Sequence, residues 1–270
     1  MKLSKSFVAL VLIFSIISTM CYARLEGTLT DGLIAAYDFD DETSAESTIK
    51  DLSGNENHGR PTNVEWNEDG SLKFFRGEGS YVDIGSNVTT QLKDAEAVTI
   101  SAWVKVDGVP NNAFYIFHFP IEGNKVGIEM FINPTSFRLA GRSNTNDSWL
   151  NKKYPYPQTG IWNHVVGVFD YKNKKIQFYM NGEEQQHEGG NADAAFGSDT
   201  FTPGSSVSNA SLSNKTNQSE FNGDIDEVRI YKRRLSESEI KELAATKVVA
   251  NVLSTSEITS ILEEKLTNSA

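Results

Sequence analysis

The sequence predicts an all-β domain built from antiparallel strands, and three observations carry that prediction. Short runs rich in Val, Ile, Phe and Tyr are separated by Gly, Asn, Ser and Thr, the composition of a chain with many strands and many turns. Two extended runs meet at Asn181-Gly182, the preferred pair for a type I′ hairpin turn, and a second hairpin closes at Lys172-Asn173-Lys174, which makes the topology antiparallel. Alternation of side chains is clear in residues 98–106, where a strand carries Trp103.

The elements follow in order. Lys2 and Lys5 precede an apolar run, residues 7–17, too short to span a bilayer, and Cys21-Tyr22-Ala23 offers a small residue for cleavage. Residues 1–23 therefore read as a secretory signal peptide, 24–31 as a linker and 32–246 as the domain. The mature protein is expected to be secreted and extracellular, with no membrane span. A lipoprotein would acylate Cys21, but Met20 is larger than the residue such processing prefers. The sole cysteine leaves with the leader, so stability must come from a core rather than a disulfide. Cleavage also removes two lysines and no acid, taking the formal charge from −11 to −11 − 2 = −13, a surface unsuited to nucleic acid or anionic lipid.

Residues 33–39 read as the first strand, and residues 51–59 as an ordered loop crowded with residues that tolerate left-handed backbone or bond their own amides. Strands are expected over 72–75, 81–84, 98–106, 114–119, 126–132, 162–171, 176–180 and 221–231. Residues 187–220, rich in Gly, Ser, Asn and Ala, read as a long irregular loop, and the stretch around Trp149 as a Pro-punctuated loop. Ser236 with Glu239 forms a capping-box start for a short helix over 240–243. A second such start at Ser254 precedes an amphipathic helix on Ile258, Ile261, Leu262 and Leu266, so 247–270 reads as a helical or disordered tail.

Seven stretches in this order resemble the laminin-G-like, or concanavalin A-like, lectin/glucanase domain family. They run from residues 32–40 and 51–59, through 79–84 and 99–105, to 162–166, 178–182 and the segment from Phe221 to Ser236. The resemblance implies a two-sheet antiparallel β-sandwich, or jelly roll, with a short C-terminal helix and helical tail. It also implies little enzymatic activity and a usual role in binding glycans or matrix proteins.

Several residues are candidates for chemistry. Uninterrupted alternation along the last strand would put Asp226 on the face of Val228 and Ile230, pointing inward, where a carboxylate must be protonated, hydrogen-bonded or bound to a cation. With the resemblance placing a hard cation where first and last strands meet, Asp38, Asn57 and Asp226 are the expected oxygen donors for Ca2+. The competing reading has Asp226 accepting amides of the 51–59 loop without metal. No Glu-x-Asp-x-x-Glu triplet occurs, so catalytic residues are not expected. His58, His118, His164 and His187 lack metal spacing, and His164 reads as a packed core histidine. Trp103 and Trp162 fall in core strands and Trp66 in a connector, which leaves Trp149 as the sugar platform, with Tyr154, Tyr156, Arg142 and Asn144 beside it. Sequons at Asn87, Asn146, Asn209, Asn214 and Asn217 would make a eukaryotic product a glycoprotein.

The function expected from these readings is a secreted, non-catalytic protein that binds carbohydrate or a glycosylated extracellular matrix protein, with calcium dependence as the extension. A structural matrix component interacting with mineral or basic proteins is the alternative class, and a glycoside hydrolase the third.

Overall fold

The computed structural model describes residues 29–40, 48–121, 125–142, 149–190, 201, 209–214 and 219–252. The first half of the chain contributes β1 (Leu33–Tyr37), β2 (Arg60–Thr62), β3 (Val64–Trp66), β4 (Leu72–Phe74), β5 (Tyr81–Gly85), helix α1 (Asn87–Gln91), β6 (Ala97–Val106), β7 (Phe114–Ile121) and β8 (Lys125–Asn133). The second half adds β9 (Ser136–Arg142), β10 (Trp149–Tyr154), β11 (Trp162–Asp170), β12 (Lys175–Met180), β13 (Glu183–Gln185), β14 (Gly189–Gly190), β15 (Ala210–Leu212), β16 (Gly223–Tyr231) and helix α2 (Glu237–Val252).

These strands form two eight-stranded antiparallel sheets. The first runs β13-β12-β11-β6-β16-β4-β3 with β1 also paired to β16, and the second runs β14-β10-β9-β8-β7-β15-β5-β2. The expected sandwich is thus present. Inner faces meet in a core that includes Ile100, Val104, Ile225 and Ile230 from the first sheet, with Ile128, Met130, Phe137 and Leu139 from the second. Phe137 stacks on Phe178 across it, ring centroids 4.2 Å apart. The hairpin signals hold: Met180 pairs with Glu183 around Asn181 (φ 52) and Gly182 (φ 83), both in the left-handed region a type I′ turn requires.

The first sheet's outer face is sealed at one end. Val166, Val168, Tyr179 and Tyr231 are buried there against Leu29, Leu235, Ile240 and Leu243. The capping box that starts α2 is formed: Ser236 N–H donates to Glu239 Oε2 (2.7 Å) and Glu239 N–H to Ser236 Oγ (3.3 Å). Arg233 and these capping bonds hold the Glu239 carboxyl down at about 2. The helix is longer than residues 240–243 and runs past 246, while the second tail helix lies outside the described residues.

His164 is a core histidine, 1 % exposed, with Nε2 2.8 Å from Ser101 Oγ and its ring 5.3 Å from that of Trp103. Burial, with Arg229 nearby, lowers its pKa to about 3. The unfolded chain therefore takes up a proton near pH 6.5 that the native state refuses until about pH 3, so stability is full above 6.5 and falls as pH drops through that window. From pH 7 to 5.5 this one group removes about 1 kcal/mol. Denaturant unfolding of the protein and of His164→Gln at both pH values checks it: the variant should lack that increment.

Three expectations are corrected. Asp226 does not share a face with Val228 and Ile230, because a β-bulge intervenes. Asp226 pairs with Trp103 and Arg229 with Ser101, so Glu227 and Val228 together oppose Ala102, with Glu227 at φ 50. The extra residue turns Asp226 to the outer face while Ile225 and Val228 stay in the core. Asp226 Oδ1 accepts the Glu227 N–H at 2.7 Å, and Arg229 reaches Glu227 Oε2 at 2.6 Å. Trp149 belongs to a strand rather than a loop, and the 187–220 stretch contributes β14 and β15 to the second sheet.

Candidate functional site

The outer face of the second sheet carries the candidate site. The β8–β9 hairpin that sets its register is tightened by Asn133 Oδ1, which accepts from the N–H groups of Thr135 (3.1 Å) and Ser136 (3.0 Å). Pairing then aligns two rows across the strands. One runs Tyr115, Phe131, Arg138, Lys153 and the next Ser211, His118, Glu129, Ala140. Their inward neighbours Phe114, Met130, Leu139 and Tyr154 fill the core, so alternation puts both rows on the other side.

On that face Tyr115 stacks on Phe131, centroids 5.1 Å apart and planes 25° from parallel, and meets His118 edge-on at 5.6 Å. Beneath it Glu129 is 2 % exposed and engages His118 Nδ1 through Oε1 at 2.9 Å. Burial, reinforced by the Glu129 charge, pushes the Tyr115 hydroxyl up to about 12, so it stays a hydrogen-bond donor at any ordinary pH. Arg138 is half-buried, its Nε donating to Ser136 Oγ at 3.0 Å, and burial lowers its pKa. The result is an aromatic pair, Tyr115 half-buried and Phe131 buried beneath it, rimmed by an imidazole–carboxylate pair and a guanidinium. Such a surface offers apolar contact to the face of a sugar and directional polar groups to its hydroxyls.

Catalysis by paired carboxylates lacks its geometry along this row. From Glu129 the neighbouring acid on the row is Asp83, opposite Ser211 on β5, three strand spacings away. At about 4.8 Å per spacing that is roughly 14 Å, beyond the separations of retaining or inverting glycosidases.

The expected ligand residues are only partly brought together. Trp149 pairs with Arg142 on the same sheet, placing both backbones four residues along β10 and β9 from the Lys153–Arg138 pair, while Asn144 lies outside the described residues. Tyr154 is contradicted as a platform: it is 2 % exposed, tilted against Phe178 at 5.2 Å, with its hydroxyl donating to the Ile176 carbonyl at 3.1 Å. Tyr156 is partly buried against the core, its hydroxyl 3.4 Å from the Gly108 carbonyl. Trp162 has the Lys105 ammonium 5.9 Å from its ring centroid. Among the sequons, Asn87 and Asn209 are exposed, Asn214 is 6 % exposed and so contradicts its expected use as an acceptor, and Asn146 and Asn217 lie outside the described residues.

The expected calcium donors do not assemble. Asn57 sits by the core side of β1, where its carbonyl accepts the Tyr37 hydroxyl (2.5 Å), its Nδ2 donates to the Ile34 carbonyl (2.7 Å) and its Oδ1 accepts Asn87 Nδ2 (2.8 Å). Asp226 is on the opposite face of the same sheet, beside Trp103, and Asp38 accepts the Asp40 N–H at 3.3 Å. The loop clamp exists, but its carboxylate is Asp51 rather than Asp226. Asp51 Oδ1 accepts from Ala36 N and Ser53 N, both at 2.9 Å, and Oδ2 from Ser53 Oγ (2.7 Å) and Asn57 N (2.9 Å).

Comparison with known proteins agrees with this architecture. A tryptophan-to-alanine mutant of HCR/D superposes with a TM-score of 0.63 at 17% identity, over 82% of this chain and 53% of that one. The receptor binding domain of botulinum neurotoxin C/D mosaic serotype gives 0.58 at 16% identity, over 80% and 51%. A Trypanosoma rangeli sialidase in complex with 2,3-difluorosialic acid gives 0.58 at 18% identity, over 80% and 33%. The chain thus spans about half the length of the first two and a third of the last. No curated protein matches. The family described as the concanavalin A-like lectin/glucanases superfamily matches residues 76–241, more than half of the sequence, and the chain belongs to that family.

Proposed function

We propose that this is a secreted, non-catalytic carbohydrate-binding protein whose glycan-contacting surface is the outer face of the second sheet. The observation that carries the reading is the Tyr115–Phe131 stack beside the His118–Glu129 pair and Arg138. The family, described as one of lectins and glucanases, supports it, and two of the similar structures are, by description, a receptor binding domain and a sialidase. No helix among the described residues is long and apolar enough to cross a membrane. The partner is a glycan, free or carried on an extracellular protein.

Because Asn57 and Asp226 stand on opposite faces of one sheet with intramolecular partners, calcium has no role in this reading. A glycan array probed with the mature protein should return a chemically coherent set of sugars, unchanged by chelator. An empty array sinks the reading; hits that vanish with chelator would restore a cation to the site.

A further inference from the structure

A second, separate site lies at one end of the first sheet. Three segments meet there: the turn after α1, the β11–β12 turn and the segment after β16. They are held by Tyr171 N–H to the Glu96 carbonyl (3.0 Å), Thr99 Oγ1 to the Arg233 carbonyl (2.7 Å) and Leu235 N–H to Thr99 Oγ1 (3.2 Å). Between them is a cleft of about 450 Å³ lined by five cations and three carboxylates. Three of those cations are paired: Lys172 with Glu96, Arg234 with Asp170 at 3.4 Å, and Arg233 with Glu239. Among the described residues Lys93 and Lys232 have no carboxylate partner, and both are exposed.

Two lysines without a carboxylate partner share one concavity with the long, single Arg234–Asp170 contact, so an incoming anion meets three cations that no strong pair holds. The cleft's volume falls within the usual range for small-ligand sites and exceeds what a bare inorganic anion would fill. We propose that this cleft binds an acidic sugar residue through its oxyanion, a carboxylate or a sulfate ester, with Lys93 and Lys232 as the charge contacts and Arg234 released in part from Asp170 to make a directional one. Its observations are independent of the Tyr115 face, which lies on the other sheet.

The test is an amide-shift titration of isotope-labelled full-length protein with galactose 6-sulfate, galacturonate, galactose and inorganic sulfate. Either acidic sugar should shift amides around Lys93, Lys232 and Arg234, the stronger of the two naming the oxyanion, while galactose leaves them unmoved. The double variant Lys93→Gln/Lys232→Gln, both exposed and so expected to fold normally, should weaken binding at least tenfold, and 1 M NaCl should abolish it by screening. Tyr115→Ala should leave it unchanged, which separates failure here from failure of the proposed glycan face. Absence of shifts, equal binding by the double variant, or inorganic sulfate binding as tightly as the sugars would each overturn the proposal.

Discussion

Replacing Asp51 with alanine should lower unfolding stability by about 4 kcal/mol, because a single buried carboxylate satisfies four donors at once. The side chain is 4 % exposed, so water cannot take its place without opening the 51–59 loop. Two of its donors, Ala36 N and Asn57 N, belong to different segments, and Asn57 in turn supports Tyr37 and receives Asn87 from α1. The loss therefore spreads from the loop to β1, the first strand's lateral pairing to β16 and the helix that precedes β6. Asp51→Asn is the sharper control. It keeps one acceptor oxygen but points an amide N–H₂ at existing N–H or O–H donors, and should cost about 2–3 kcal/mol. Denaturant unfolding with constant slope measures both. A loss below about 1 kcal/mol for alanine would mean the loop is anchored by something other than this carboxylate.

Tyr115→Ala should weaken binding of an array-positive glycan about 30-fold, the equivalent of about 2 kcal/mol for one aromatic platform. Stability should fall by only about 1 kcal/mol, since the ring is half-buried and loses chiefly its contacts with Phe131 and His118. Tyr115→Phe separates the ring from its hydroxyl: retained affinity assigns recognition to the plane, while a large loss assigns it to the donor that burial and Glu129 keep protonated. Calorimetric titration of both variants reads the result. Equal losses of stability and affinity in the alanine variant would mark Tyr115 as core rather than contact surface.

How much of this was legible in the sequence depended on which local signals survive tertiary packing. The β11–β12–β13 hairpins were legible because Asn181-Gly182 demands left-handed backbone and few other pairs supply it. Ser236 and Glu239 announced α2 for an equally local reason. β9 and β10 were obscured by composition. Lys152 occupies an inward register position opposite Leu139 and is 4 % exposed, so the alternation of Trp149–Tyr154 does not read as apolar on one side. The proposed glycan face was hidden by the opposite problem: Phe114–Ile121 is apolar on both faces, and only pairing partners distinguish Tyr115 and His118, which look outward, from Phe114 and Phe117, which look in. For Asp226 the misleading element was one residue. Glu227 adopts φ 50 without being glycine, a bulge with no sequence signature, and it reverses the facing of everything before it.

The central claim is that sugars dock on the outer face of the second sheet, and a chemical-shift map of labelled protein with the strongest array hit tests it most directly. The predicted result is a contiguous set of perturbed amides centred on Tyr115, His118, Glu129, Phe131 and Arg138, reaching the Arg142–Trp149 pair at the neighbouring edge. Perturbations confined to the first sheet, or spread over the 51–59 loop with no change on β7, β8 and β9, would contradict it.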